Sequence, residues 1–271
     1  MDIRKFWITN GNEQTIQFAD SISKIFINNP TGLGVSNTLE TYQYADRIKI
    51  TSKEQNFQQI GGEFLFYDVA NKDKYEQYNN FITFLTHKPL MFYYQIPTEP
   101  TKTYSCEVEV LSVEKTEVKT DGALRCNFSL QQLTRWLGDE VVISGTGNTY
   151  TIENAGHMPV GFQITIEGSL LDPYFTLSQN NEMYGEAKFD YTSELSSVYV
   201  NSVDLEQNVI LIRNGTVLAN PLSYQDLSIS NGSIYVTFIK LARGISTLNI
   251  GYESGNITSV DIKFTPEYRS V

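Results

Sequence analysis

The feature that most constrains this chain is its punctuation. Short apolar or alternating runs recur along it, and each is closed within a few residues by Asn, Gly, Asp or Ser. Asp121-Gly122, Asn214-Gly215 and Asn231-Gly232 are dipeptides of the kind that turn one strand back on the next, and Ser254-Gly255-Asn256 reads as a further turn cluster. One stretch departs from this rhythm. In residues 71–86 (NKDKYEQYNNFITFLT), Tyr75, Tyr78, Phe81, Ile82 and Leu85 fall three or four apart, which describes one face of an amphipathic helix. Asn71 is placed to cap it, Asp73 suits the positive end of its dipole, and Lys88-Pro89 ends it. A chain of 271 residues patterned in this way is mainly β, with room for two domains or one large β-rich unit.

The charge distribution favours two domains. Residues 1–138 carry 14 basic and 16 acidic side chains, and residues 139–271 carry 6 and 15, so the halves net −2 and −9 of the total −11. The run Ile143-Ser144-Gly145-Thr146-Gly147-Asn148 reads as turn chemistry where one domain hands over to the next. In the first half, strands are expected at 21–28, 47–51, 63–67, 90–95, 104–116 and 123–131 around the helix. That is an α+β or β-sandwich unit carrying one helix. In the second half, short strands are expected at 150–154, 162–167, 175–177, 197–201, 209–213, 234–240, 248–252 and 259–264, with no convincing helix. Such a pattern is an all-β sandwich, with jelly-roll and galectin-like topologies as candidates.

The chemistry of most function classes is missing. A net charge of −11 argues against a phosphate-backbone partner, so no specific nucleic-acid binding is expected. The start, Met1-Asp2-Ile3-Arg4-Lys5-Phe6-Trp7, has no apolar run behind its basic residues, and no stretch approaches the ~20 apolar residues of a spanning helix. A soluble protein folded in a cytoplasm, with no membrane association, is the expectation. The two cysteines, Cys106 and Cys126, are too few for a disulfide framework or a cysteine zinc site and read as free, buried thiols, with Cys126 opposite the neighbourhood of Glu117. His87 sits at the helix end, where a cation suits the dipole, and His157 lies in a turn with no second ligand near it.

No nucleophile elbow, HExxH helix or phosphate-binding glycine pattern occurs; Gly32-Leu33-Gly34 comes closest and reads as a turn. Glu107 and Glu109 share a strand face, as solvated strands commonly arrange them. Neither catalytic, cofactor-binding nor metal-ligating residues are assigned, and the chain is not expected to be an enzyme. Tyr174, Phe175, Tyr184 and Tyr191 are candidates for a sugar-stacking platform in the second half, although core packing is the favoured use.

Taken in order, several segments resemble the distal tail proteins (Dit) of long-tailed bacteriophages. In the first half these are Asn28-Asn29-Pro30-Thr31-Gly32-Leu33-Gly34, Gly61-Gly62-Glu63-Phe64-Leu65-Phe66, Tyr75-Glu76-Gln77-Tyr78-Asn79-Asn80-Phe81-Ile82, Leu90-Met91-Phe92-Tyr93-Tyr94 and Leu133-Thr134-Arg135-Trp136. The second half adds Asn154-Ala155-Gly156, Ile164-Thr165-Ile166-Glu167-Gly168, Asp172-Pro173, Val200-Asn201-Ser202 and Arg243-Gly244-Ile245-Ser246-Thr247-Leu248. The resemblance implies an N-terminal β-sandwich (1–138) with one helix and an extended hairpin that assembles into a hexameric ring, and a C-terminal galectin-like sandwich (139–271). It implies a structural hub at the virion tail tip, made in the host bacterial cytoplasm, with the tail tube protein on one side and a tail-associated baseplate or fibre protein on the other. A chain of this length leaves no room for the inserted carbohydrate-binding module of larger members. Candidate subunit-interface residues are Lys72, Lys74 and Glu76 on the helix, and Pro97 and Pro100 beside strands expected to lie at an edge. The alternative function is a carbohydrate-binding module for host surface polysaccharide.

Overall fold

The computed structural model describes residues 4–18, 24–44, 47–67, 73–96, 98–116, 124–191, 193–219, 227–229, 232–236 and 239–270. The fold is mainly β, a β-sandwich architecture with a single described helix. The chain divides into two compact units, Met1–Gly138 with Tyr268–Val271, and Asp139–Glu267. The last four residues, which a division at Gly138 counts with the second half, belong to the first unit because Tyr268 packs edge-on against Tyr104 at 5.0 Å.

In the first unit, strands β1 (Lys5–Thr9), β2 (Thr15–Gln17) and β3 (Ile25–Thr31) are followed by a long hairpin, β4 (Ser36–Tyr44) and β5 (Arg47–Asn56). Then come β6 (Gln59–Phe66), α1 (Asp73–Leu85), β7 (Leu90–Gln95), β8 (Thr103–Lys115), β9 (Leu124–Gln132) and β10 (Trp136–Leu137). Apart from β4 and β5 these strands form one nine-stranded sheet in the order β2-β1-β7-β8-β9-β6-β3, with β10 beside β8 and, last in the chain, β23 (Glu267–Tyr268) beside β10. Alternation along β7 buries Leu90, Phe92 and Tyr94, and along β9 buries Leu124, Cys126, Phe128 and Leu130.

The rings meet around Phe64. It stacks on Phe128 with centroids 4.0 Å apart, lies 5.2 Å from Phe18, and takes Phe81 of the helix edge-on at 5.0 Å. That arrangement suits the ring quadrupoles, which favour offset and edge-to-face contacts. The close stack requires a bare backbone next door. A Cβ on Gly62 (φ 151°) would lie 2.8 Å from Asn28 O and 3.1 Å from the Phe128 ring.

The helix buries a face slightly different from the expected one. Phe81, Phe84 and Leu85 are buried, whereas Tyr75 is 52% exposed. The buried line runs through Lys74, Tyr78, Phe81 and Leu85, a rotation that brings Phe84 in and turns Tyr75 out. Asn71, the expected cap, and the Asp121-Gly122 turn lie outside the described residues.

The second unit is a sandwich of two six-stranded antiparallel sheets. Its strands are β11 (Val141–Gly145), β12 (Thr149–Asn154), β13 (Gln163–Leu171), β14 (Tyr174–Gln179), β15 (Glu182–Tyr191), β16 (Leu195–Asn201), β17 (Asn208–Arg213), β18 (Thr216–Ala219), β19 (Leu227–Ile229), β20 (Gly232–Val236), β21 (Gly244–Gly251) and β22 (Ser254–Phe264). One sheet runs β11-β22-β13-β16-β17-β18 and the other β12-β21-β14-β15-β20-β19. Ile152, Phe162, Ile164, Ile166, Phe175, Leu177, Phe189, Leu248 and Ile262 fill the space between them.

Two sequence expectations change here. Ile143, Ser144 and Gly145 are not linker: they belong to β11, and the remaining Thr146-Gly147-Asn148 carries the chain from one sheet to the other. Ser254-Gly255-Asn256 is not a turn but the start of β22, where Gly255 (φ 117°) passes so close to β13 that a Cβ would sit 1.7 Å from Ser169 O. Asn214-Gly215 does form its hairpin, with both residues at positive φ as the favoured two-residue turn demands.

Phe64→Ala is expected to cost about 3–5 kcal/mol of stability in denaturant unfolding, because three ring partners lose their contact and the site cannot collapse. Tyr75→Ala, on the exposed side of the same core element, is expected to stay within about 0.5 kcal/mol of wild type in the same measurement.

Candidate assembly interface

The hairpin β4–β5 is a two-stranded sheet by itself. It springs from the sheet between β3 and β6, which pair with each other at its root. Gly32 (φ 80°) marks the exit, since a Cβ there would lie 2.0 Å from Gln59 O. The segment around Gly32-Leu33-Gly34 is therefore the takeoff of this hairpin; the preceding Asn28-Asn29-Pro30-Thr31 is still β3.

Register makes the hairpin two-faced. Thr41 opposes Ile50 and Gln43 opposes Ile48, so these four share a face with Leu39, while Glu40, Tyr42, Arg47 and Lys49 occupy the other. A bulge at Thr51, whose Oγ1 donates to Glu40 O at 3.1 Å, sits midway, and near the root Asn56 Nδ2 donates to Thr38 Oγ1 at 2.8 Å. Ile48 is 70% exposed, Ile50 54% and Leu39 47%. The alternation in 47–51 is that of a half-buried strand, yet among the described residues nothing covers it.

An isolated two-stranded hairpin is at best marginal in water, and fully burying one Ile or Leu side chain is worth roughly 1.5–3 kcal/mol. A hairpin this long with an uncovered aliphatic face is therefore suited to lie against another protein surface.

A second apolar surface of the first unit flanks the helix. Tyr78, Ile82 and Leu85 from α1 and Val110, Leu111 and Val113 from β8 line a groove of about 450 Å³. Tyr78 donates its hydroxyl to Val113 O at 3.2 Å, and the Lys115 ammonium stands 4.1 Å over the Tyr78 ring. Lys88 and Glu109 close one end of the groove with an ion pair of 2.5 Å.

Of the residues expected at an interface, Lys72 and Pro97 lie outside the described residues. Glu76 is exposed on the helix and Pro100 in the loop. Lys74 is different. It is only 3% exposed, because it lies on the line of the helix that turns inward. The strands flanking Pro100 are not edges: β7 is paired by β1 and β8, and β8 by β7, β9 and β10, which leaves β2 and β3 as the rims. The loop also closes on itself, with Gln95 Nε2 donating to Pro100 O at 2.6 Å and Lys102 pairing with Glu99 at 3.0 Å.

The reactive side chains are in structural settings. His87 Nδ1 lies 3.1 Å from Thr83 O at the helix end, and the His157 backbone N–H donates to Glu267 O at 2.7 Å. Glu109, on the same strand face as Glu107, is engaged by Lys88. Among the described residues, no three His, Cys, Asp or Glu side chains are grouped to hold a metal ion, and no helix is long and apolar enough to cross a membrane. Both thiols are free and buried, and Cys126 opposes Lys115 and Phe64, close to the position expected for it. Burial pushes the Cys126 thiol up to about 11, Lys115 opposing, and raises Cys106 further.

A thiol whose pKa is raised by folding stabilises the native state below its unfolded value and loses that contribution above it. Stability is therefore expected to fall as the pH rises beyond about 9, and a thiol reagent at pH 8 should modify the folded protein slowly and the unfolded protein fast at both positions. Rapid modification of the native protein would contradict the buried setting.

Comparison with known proteins places this architecture. Residues 5–133 match the family model described as "Distal tail protein, N-terminal domain". The SPP1 Dit (gp 19.1) protein, whose crystal structure is described as a paradigm of the hub adsorption apparatus in phages infecting Gram-positive hosts, superposes with a TM-score of 0.66 at 14% identity over 96% of this chain and 98% of that one. Chains of the phage P2 baseplate in its activated conformation, with Ca and with Sr, superpose with TM-scores of 0.56 and 0.57 at 11% and 12% identity, each over 99% of this chain and all of the other. No curated protein matches the chain by sequence. The match over β1 to β9 places the first unit in the phage distal tail protein family, and the likeness of fold extends across both units.

Proposed function

We propose that this protein forms a closed homo-oligomeric ring, six copies by the family resemblance, at the tip of a phage or prophage tail. In this role it joins the tail tube to the baseplate or a tail-associated fibre protein, after synthesis in the host bacterial cytoplasm. It works as a scaffold rather than as a catalyst. The observation that carries the reading is the β4–β5 hairpin, whose Leu39, Ile48 and Ile50 face has no cover among the described residues. A ring needs a heterologous interface, two different patches on each copy that meet when the rotation closes. The first unit offers such a pair in the hairpin face and the groove between α1 and β8.

The test is the mass of the full-length protein in solution. Wild type is expected as a species near six times 30.8 kDa or a stack of two such rings, visible as closed rings by electron microscopy. The double variant Ile48→Asp, Ile50→Asp puts two carboxylates on the hairpin face and is expected to run as a monomer with unchanged circular dichroism. A wild-type chain that stays monomeric at every concentration would overturn the ring, and a double variant that still assembles would remove the hairpin from the interface.

A further inference from the structure

On the outward face of one sheet of the second unit, an aromatic ring lies across a neighbouring strand among hydroxyl and amide groups. Tyr174 opens β14, opposite Lys188 of β15 on one side and Gly251 of β21 on the other. Their neighbours Phe175, Ala187 and Ile250 are buried in the core, so Tyr174, Lys188 and Gly251 face outward. The ring does not stand up from the sheet. A Cβ built on Gly251 would fall 2.2 Å from Tyr174 Cζ and 2.4 Å from its hydroxyl oxygen, so the far end of the ring fills the space above that glycine. The ring thus reaches across onto the neighbouring strand, and Tyr174 keeps 40% of its surface exposed.

The next row along the sheet is polar throughout: Thr149, Asn249, Thr176 and Glu186 sit side by side in register. Asn249 accepts at Oδ1 from Thr149 Oγ1 at 3.0 Å, which leaves its amide N–H groups to solvent. Glu186 and Lys188 pair at 3.0 Å and border the ring. Strands lie ~4.8 Å apart, so the ring, the amide and the ion pair fall within the span of one or two sugar rings.

We propose that this face is a binding site for a neutral saccharide, the C–H face of a pyranose covering Tyr174 and its hydroxyls meeting Asn249, Thr176, Glu186 and Lys188. A peptide or lipid would need a broader apolar surface than one ring. A polyanion is opposed by the 15 acidic against 6 basic residues of 139–271. Of the four aromatic residues named from sequence, Phe175 is in the core, Tyr184 is tied to Ser246 Oγ at 2.9 Å, and the side chain of Tyr191 lies outside the described residues. Tyr174 alone is shown to be presented.

The test is saturation-transfer NMR on the full-length protein with glucose, galactose, N-acetylglucosamine and their disaccharides, at about 10 mM because single exposed sites bind in the millimolar range. Transfer to at least one of these sugars is expected, and it should fall at least fivefold in Tyr174→Ala. Gly251→Ala keeps the phenol but displaces it, and should lose transfer to the same degree with an unchanged melting temperature. Met183→Ala, at the far end of β15 and 62% exposed, should behave as wild type. Absence of transfer from every sugar, or transfer that survives both Tyr174→Ala and Gly251→Ala, would overturn the site. The result does not depend on ring formation, which the mass measurement tests separately.

Discussion

The first unit depends on a place where side chains are absent. At Gly62, β6 runs between β3 and β9 at a spacing that tolerates no Cβ, and this lets Phe128 stack on Phe64. β3 is held to the sheet by β6. If a side chain in place of Gly62 forced these strands apart, β3 would lose its pairing, the ring cluster would lose its packing, and the root of the hairpin would open. One steric condition therefore supports both the core and the element that projects from it.

Much of this was legible in sequence because it follows from short-range rules. The short apolar run Leu90–Gln95 located a strand with the same bounds as observed, and the Asn214-Gly215 pair located a hairpin. Local rules failed where distant contacts decide. Gly255 resembles a turn residue, yet its purpose is to let β22 pass close to β13. Tyr75 satisfies helical periodicity as well as Phe84 does, and only packing against the sheet ranks them.

The candidate interface was less readable, for a physical reason. Alternation reports that one strand face will be removed from water, but not whether its cover comes from the same chain. Ile48 and Ile50 carried the right signal and led to the wrong cover. Lys74 shows the converse, since its charge suggests solvent while the turn of the helix carries it inward. Pro100 beside a strand suggested an edge, but an edge is a property of the whole sheet order, and β7 and β8 are interior. Tyr174 was readable as a candidate; its orientation was not, because that rests on Gly251, far along the chain and adjacent only in register.

The bare hairpin also bears on the protein before it reaches its place of use. A freshly made copy displays a β-ribbon with aliphatic side chains on one face and unpaired backbone groups along its margins, the combination that seeds strand-to-strand aggregation. Its opposite face carries Arg47 and Lys49 close to the tip, where two like charges per copy repel any second ribbon that approaches in the same register. Charge so placed disfavours ribbon-to-ribbon pairing, so the exposure that suits the hairpin to a partner comes with a counterweight against indiscriminate pairing while the chain is still alone.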